Sequence, residues 1–147
     1  MVNFIQWLHE NEAKTTAEDA YGTLVNHHKK FGIDAMPSHE EFNNLLNKTP
    51  ITKMTPYQAI AMNNTSATKG MIGKGITNPS VIKGAGVEDQ RHDSWQSIKY
   101  HTNKTENTPI VAIKHDGKVT LLDGDHRVMA AVLMNHPIMV KIMRWNQ

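Results

Sequence analysis

Along 4–61, apolar residues recur at helical spacing, and most groups follow a recognisable start signal. Phe4, Ile5 and Leu8 give one side to a short amphipathic helix. Thr15 and Glu18 then form a capping-box pattern ahead of Ala17, Tyr21, Leu24, Val25 and His28, and Gly32 supplies the stop. Ser38 with Glu41 repeats the signature before Phe42, Leu45 and Leu46. Thr55-Pro56 puts a capping hydroxyl before a proline at the first helical position, with Tyr57, Ile60 and Ala61 behind it. A further short helix is expected over 93–101, with Trp95, Ile98 and the stem of Lys99 facing inward. After Pro109 the period changes from helical to alternating. Ile110 to Ile113 is a β-branched run, Asp116-Gly117 is a strong two-residue hairpin signal, and Val119 to Leu122 is the returning strand. A helix is expected from Asp125 to Met134, ended by Asn135 and Pro137. Ile138, Val140 and Ile142, alternating with Met139, Lys141 and Met143, predict a last strand. The pattern is that of an α+β chain: N-terminal helices followed by a small mixed β-sheet.

The organisation read from this pattern is a helical region over 1–62, a glycine- and lysine-rich loop over 63–86, and a sheet-bearing core over 87–147. A chain of 147 residues is long enough for a core without covalent staples. It has no cysteine, which excludes disulfides, thiolate metal sites and cysteine nucleophiles. No apolar run reaches the length of a membrane span, and the start of the chain lacks the basic and small-residue features of a signal peptide. A cytoplasmic protein without a membrane partner is expected.

The net charge of +2 says little, but its distribution says more. No Asp or Glu occurs from Phe42 to Val87, whereas Lys48, Lys53, Lys69, Lys74 and Lys83 all fall inside that stretch. An uncompensated run of ammonium groups attracts phosphate, although it also makes an ordinary solvated surface. The loop 63–86 lacks the G-x-x-x-x-G-K-[ST] order of a Walker motif, because Gly73-Lys74 is followed by Gly75. Its glycine N–H groups and lysines can still wrap phosphate, or it is simply a linker.

The chemistry concentrates at 121–131, LLDGDHRVMAA: a strand, a glycine turn and a helix start bearing Asp123, Asp125, His126 and Arg127. A helix N-terminus favours an anion. Gly124 lets backbone approach a ligand, Arg127 can fork onto phosphate oxygens, and His126 can exchange a proton near neutral pH. Helix capping would be reason enough for the aspartates alone. The remaining histidines show no convincing metal spacing. Met129, Met134, Met139 and Met143 fit core filling.

From Thr108 to Met143, the order strand, Asp-Gly hairpin, strand, DGDHRVMAA helix, proline and strand resembles the ParB/sulfiredoxin-like fold family. Gly124, Arg127 and Ala130 match its G-x-x-R-x-x-A nucleotide-phosphate motif, and His126-Arg127 matches the His-Arg pair that sulfiredoxins place on ATP. The resemblance implies the fold and a nucleotide or nucleic-acid partner. Asp125 stands where sulfiredoxins carry their catalytic cysteine, so sulfinic-acid reduction is excluded. The partition-protein branch usually carries Glu-Arg at the motif and adds a helix-turn-helix reader downstream. With Gln147 right after the last strand, a DNA reader is expected among the N-terminal helices instead.

These readings give Asp123, Asp125 and His126 as candidate catalytic residues, with Asp123 and Asp125 as ligands for Mg²⁺ or Mn²⁺. Gly124, Arg127, Lys74 and Lys83 are the candidates for binding phosphate, including that of a nucleoside triphosphate. The expected pocket lies between the turn 124–127 and the loop lysines. Metal-dependent nuclease or phosphotransfer activity is the leading expectation. The alternatives are a non-catalytic nucleotide- or DNA-binding module, a free-amino-acid kinase with Glu88 or Asp89 as base, and a scaffold that inhibits a partner protein. A homodimer is compatible with each.

Overall fold

The computed structural model describes the backbone over residues 4–63 and 108–145, and side chains from residue 16 onward within those ranges, Asp125 and Leu133 excepted. The sequence-expected helix over 93–101 and nearly all of the loop 63–86, with Lys69, Lys74 and Lys83, lie outside the described residues. So do Glu88 and Asp89.

The elements in chain order are α1 (Phe4–His27), α2 (His39–Lys48), β1 (Ile51–Met54), α3 (Pro56–Ala61), β2 (Ile110–His115), β3 (Lys118–Asp123), α4 (Asp125–Met134) and β4 (Ile138–Arg144). The four strands form one mixed sheet in the order β1-β4-β2-β3. Pairing is antiparallel between β1 and β4 and between β2 and β3, and parallel between β2 and β4. The α+β expectation is met. No helix among the described residues is long and apolar enough to cross a membrane.

Helices cover both faces of the sheet. On one face Val111, Ile113, Leu122 and Met143 pack with Ala20 and Leu24 of α1, Phe42 and Leu46 of α2, and Phe31 and Ile33 between those helices. On the other face Ile110, Ala112, Leu121 and Val140 meet Ala59, Met62 and Val128. β2 therefore buries Ile110, Val111, Ala112 and Ile113 in succession, which is why it reads as an unbroken β-branched run rather than an alternation. Its hairpin partner follows the Asp-Gly signal closely. Asp116 and Gly117 both take positive φ, 50° and 74°, the conformation that matches the right-handed twist of a two-residue turn.

The expected capping box at Ser38 forms, and the expected N-cap at Thr55 proves to be a second box, with Gln58. Ser38 Oγ accepts from the Glu41 N–H at 3.1 Å while Glu41 accepts from the Ser38 N–H at 3.1 Å, and Thr55 and Gln58 repeat the exchange at α3. The Ser38 backbone N–H, and then its hydroxyl, hold the Glu41 carboxyl below the usual glutamate range. The other expected box, at Thr15, is a correction: α1 runs unbroken through Thr15 and Glu18. With a helix already propagating, adding residues is cheaper than starting a new nucleus, and Ala17, Ala20, Tyr21 and Leu24 gain a face to pack. Val25, one of the residues at helical spacing, is 47% exposed. The structure also adds a strand inside the region read as helical, since β1 pairs with β4 from Ile51↔Lys141 to Met54↔Ile138.

Candidate functional site

The β3–α4 junction is built by a bend that only glycine accepts. Gly124 has φ 111° and serves as the N-cap of α4 without a side-chain cap, its carbonyl accepting from the Val128 N–H at 2.9 Å. A Cβ there would lie 2.2 Å from Ile110 Cγ2 and 2.6 Å from Ile110 Cβ. The turn is thus pressed against the first residue of β2 as well as left-handed. The ladder is irregular at the same place. Val111 pairs with Asp123 and Ala112 with Leu121, so the extra residue of a bulge sits just before the turn. Bulges of this kind re-aim a strand end and are common beside active sites.

Asp123 closes β3 and is half-buried, as is His126 in the first turn of α4. Asp125 is the first residue of that helix. Asp123, Gly124, Asp125, His126 and Arg127 thus follow one another through the β3–α4 junction. Arg127, however, is only 8% exposed, and its Nη1 donates to the Thr108 carbonyl. The guanidinium thus joins the first turn of α4 to the chain just before β2.

Two contributors were not apparent from sequence. Asn63 is tied to the outer edge of β3: its N–H donates to the Val119 carbonyl at 2.9 Å, and its carbonyl accepts from the Leu121 N–H at 2.8 Å. Its side-chain amide adds a bond to Thr120 Oγ1 at 3.3 Å. Thr108 is held by Arg127. Residues 63 and 108, which bracket the undescribed stretch, are thus both fastened to elements that meet at the turn, β3 and α4. Backbone groups do this work, and a sequence carries no signal for which carbonyl a distant side chain will choose.

A second polar cluster lies at the far end of the hairpin. His115 Nε2 donates to the Gly32 carbonyl at 2.7 Å and lies 3.2 Å from Asp116 Oδ2, while Trp145 Nε1 donates to the Ala35 carbonyl at 2.6 Å. These contacts fasten the α1–α2 connection to β2 and to the end of β4, and they account for His115 as a structural residue.

Comparison of the chain with family models, with curated proteins and with solved structures finds no match in any of the three.

Proposed function

We propose that this is a ParB/sulfiredoxin-like, cytoplasmic protein that binds nucleotide or nucleic-acid phosphate at the turn 124–127, with metal-dependent nuclease or phosphotransfer chemistry. The observation that carries this reading is the Gly124 turn itself: a left-handed glycine, jammed against Ile110, leading without a side-chain cap into a helix whose first residues are Asp125, His126 and Arg127. Helix starts of this construction favour anions through their first N–H groups and their dipole. Asn63 is anchored on β3 and Thr108 on Arg127 of α4, the two elements that meet at this turn.

Asp123 and Asp125 flank the turn, and one or two carboxylates together with substrate phosphate are the usual ligands of Mg²⁺. The residue types fit such an ion, which when bound would neutralise phosphate charge and activate water. The chain's own part would be to hold phosphate against the start of α4, with Asp123 and Asp125 as the candidate carboxylates and His126 as the proton-exchanging group.

A second reading has an observation of its own. Gly124 packed on Ile110 and Arg127 bonded to Thr108 are also what a purely structural joint would need, as in a scaffold without chemistry.

One set of assays separates the two. Thermal shift is measured with each of four nucleoside triphosphates and with DNA, and turnover with Mg²⁺ or Mn²⁺. The proposal expects a rise in Tm with at least one phosphate ligand. It expects metal-dependent cleavage or phosphate release that disappears in Asp125→Asn. No shift and no turnover with any of these would leave the structural joint as the correct account.

A further inference from the structure

The parallel ladder between β2 and β4 ends with Lys114 opposite Arg144. The preceding pair on the same face is Ala112, buried in the cluster under α3 and α4, with Ile142 packed against that cluster. The residues that alternate with the two cations lie on the other face: His115 Nε2 donates to the Gly32 carbonyl, and Trp145 packs against the cluster of α1 and α2. Lys114 and Arg144 therefore stand side by side on the α3–α4 face, on strands about 4.8 Å apart. Arg144 is exposed and Lys114 is half-buried.

Among the described residues, the elements of this face bring the pair no carboxylate. α3, β2 and β4 read PYQAIA, IVAIKH and IMVKIMR, without an Asp or Glu. The one acidic residue of α4 is Asp125, its first, and that of β3 is Asp123, its last. Both flank Gly124, which is pressed on Ile110, about 13 Å along β2 from Lys114. The Asp116 carboxylate lies 3.2 Å from His115 Nε2, whose side chain belongs to the other face. Like charges on neighbouring strands repel, so this pair works against the fold unless an anion lies between them.

The two groups are a point ammonium and a planar guanidinium fork. A phosphate monoester carries about −1.5 to −2 charges at pH 7 and three acceptor oxygens, which matches both cations. A carboxylate has one charge and two oxygens, and leaves one cation uncompensated. We infer that Lys114 and Arg144 form a site for a phosphate monoester at the end of β2 and β4, separate from the turn 124–127. Arg144 forks onto two oxygens and Lys114 takes the third. A mononucleotide and a phosphorylated side chain both present this group, and the site does not depend on phosphate binding at the turn.

The test is NMR titration of the ¹⁵N-labelled full chain, with thermal shift alongside, at constant ionic strength. The ligands are inorganic phosphate, a nucleoside 5′-monophosphate, a phosphoserine peptide and acetate. Phosphate and at least one ester should give saturable shifts at the amides of Lys114 and Arg144 and raise Tm, and acetate should do neither. The tighter of the two esters identifies the source of the phosphate. Lys114→Met and Arg144→Ala should each weaken phosphate binding at least about fivefold. Arg144→Lys should weaken it less than Arg144→Ala, because it keeps the charge and loses only the fork. Without phosphate, Lys114→Met should melt no lower than the parent, since it removes repulsion and keeps an apolar stem. A lower Tm for Lys114→Met with unchanged phosphate affinity overturns the inference. So does an equal response to acetate, or the absence of shifts at Lys114 and Arg144 with every phosphate. Shifts confined to 124–127 overturn it and spare the reading of the turn, whereas shifts confined to Lys114 and Arg144 support it and remove that reading.

Discussion

Gly124 is held from two directions, by its own φ of 111° and by Ile110 behind it. Gly124→Ala should therefore cost about 2–4 kcal/mol, combining left-handed strain with overpacking, as read from urea denaturation. Shortening Ile110 to alanine in the same chain should restore only part of this. It removes Cγ2 but leaves the Ile110 Cβ, which lies 2.6 Å from the new methyl position. Arg127→Met should lower stability by about 1.5–3 kcal/mol, the range for a hydrogen bond from a charged group, because the Thr108 carbonyl loses its donor. If Arg127 also serves a ligand, triphosphate binding falls by more than the stability loss explains, measured well below the melting temperature. The glycine, the aspartates and the His-Arg pair were all legible as a cluster in the sequence. The backing of Gly124 by Ile110 and the choice of the Thr108 carbonyl by Arg127 were not, since both depend on how β2 and α4 come together.

At the scale of elements, local chemistry predicted what local chemistry controls. The boxes at Ser38 and Thr55 form, and Ser38→Ala should cost about 1 kcal/mol by removing a cap from α2. The Glu41 side of that box has a definite pH signature. Its carboxyl is held below the ordinary glutamate value by the Ser38 N–H and hydroxyl. A group depressed in the folded state stabilises above its unfolded value, about 4.3, and that contribution is lost as pH falls through the lower folded value. In Glu41→Gln, stability below about pH 4.3 should lose this part of its acid slope, as followed by denaturant midpoint against pH. The Thr15–Glu18 box shows the limit of such reading: the same letters lie inside a continuous helix because packing of α1 onto the sheet rewards its extension. β1 was invisible for a different reason. Ile51–Met54 is short, mostly exposed and without alternation, and it is a strand only because β4 pairs with it.

Across the whole molecule, the sheet ties the first half of the chain to its last strand. β1 from the first half lies beside β4 at the C-terminal end, while His115 and Trp145 reach back to the carbonyls of Gly32 and Ala35. Trp145→Ala should lower stability by about 1–3 kcal/mol through lost packing and one hydrogen bond, as measured by thermal or urea unfolding, with phosphate binding at the opposite end of β2 unchanged. That separation matters, because it distinguishes the residues that hold the fold from those proposed to use it. The proposed use is phosphate recognition at the turn between β3 and α4, and amide NMR of the ¹⁵N-labelled protein reads that turn directly. Titration with a nucleoside triphosphate or a short DNA should give saturable shifts at the amides of Gly124, Asp125, His126 and Arg127. If these four amides stay in place with all four triphosphates and with DNA, the turn is a structural joint and the account of this protein as a phosphate binder there is wrong.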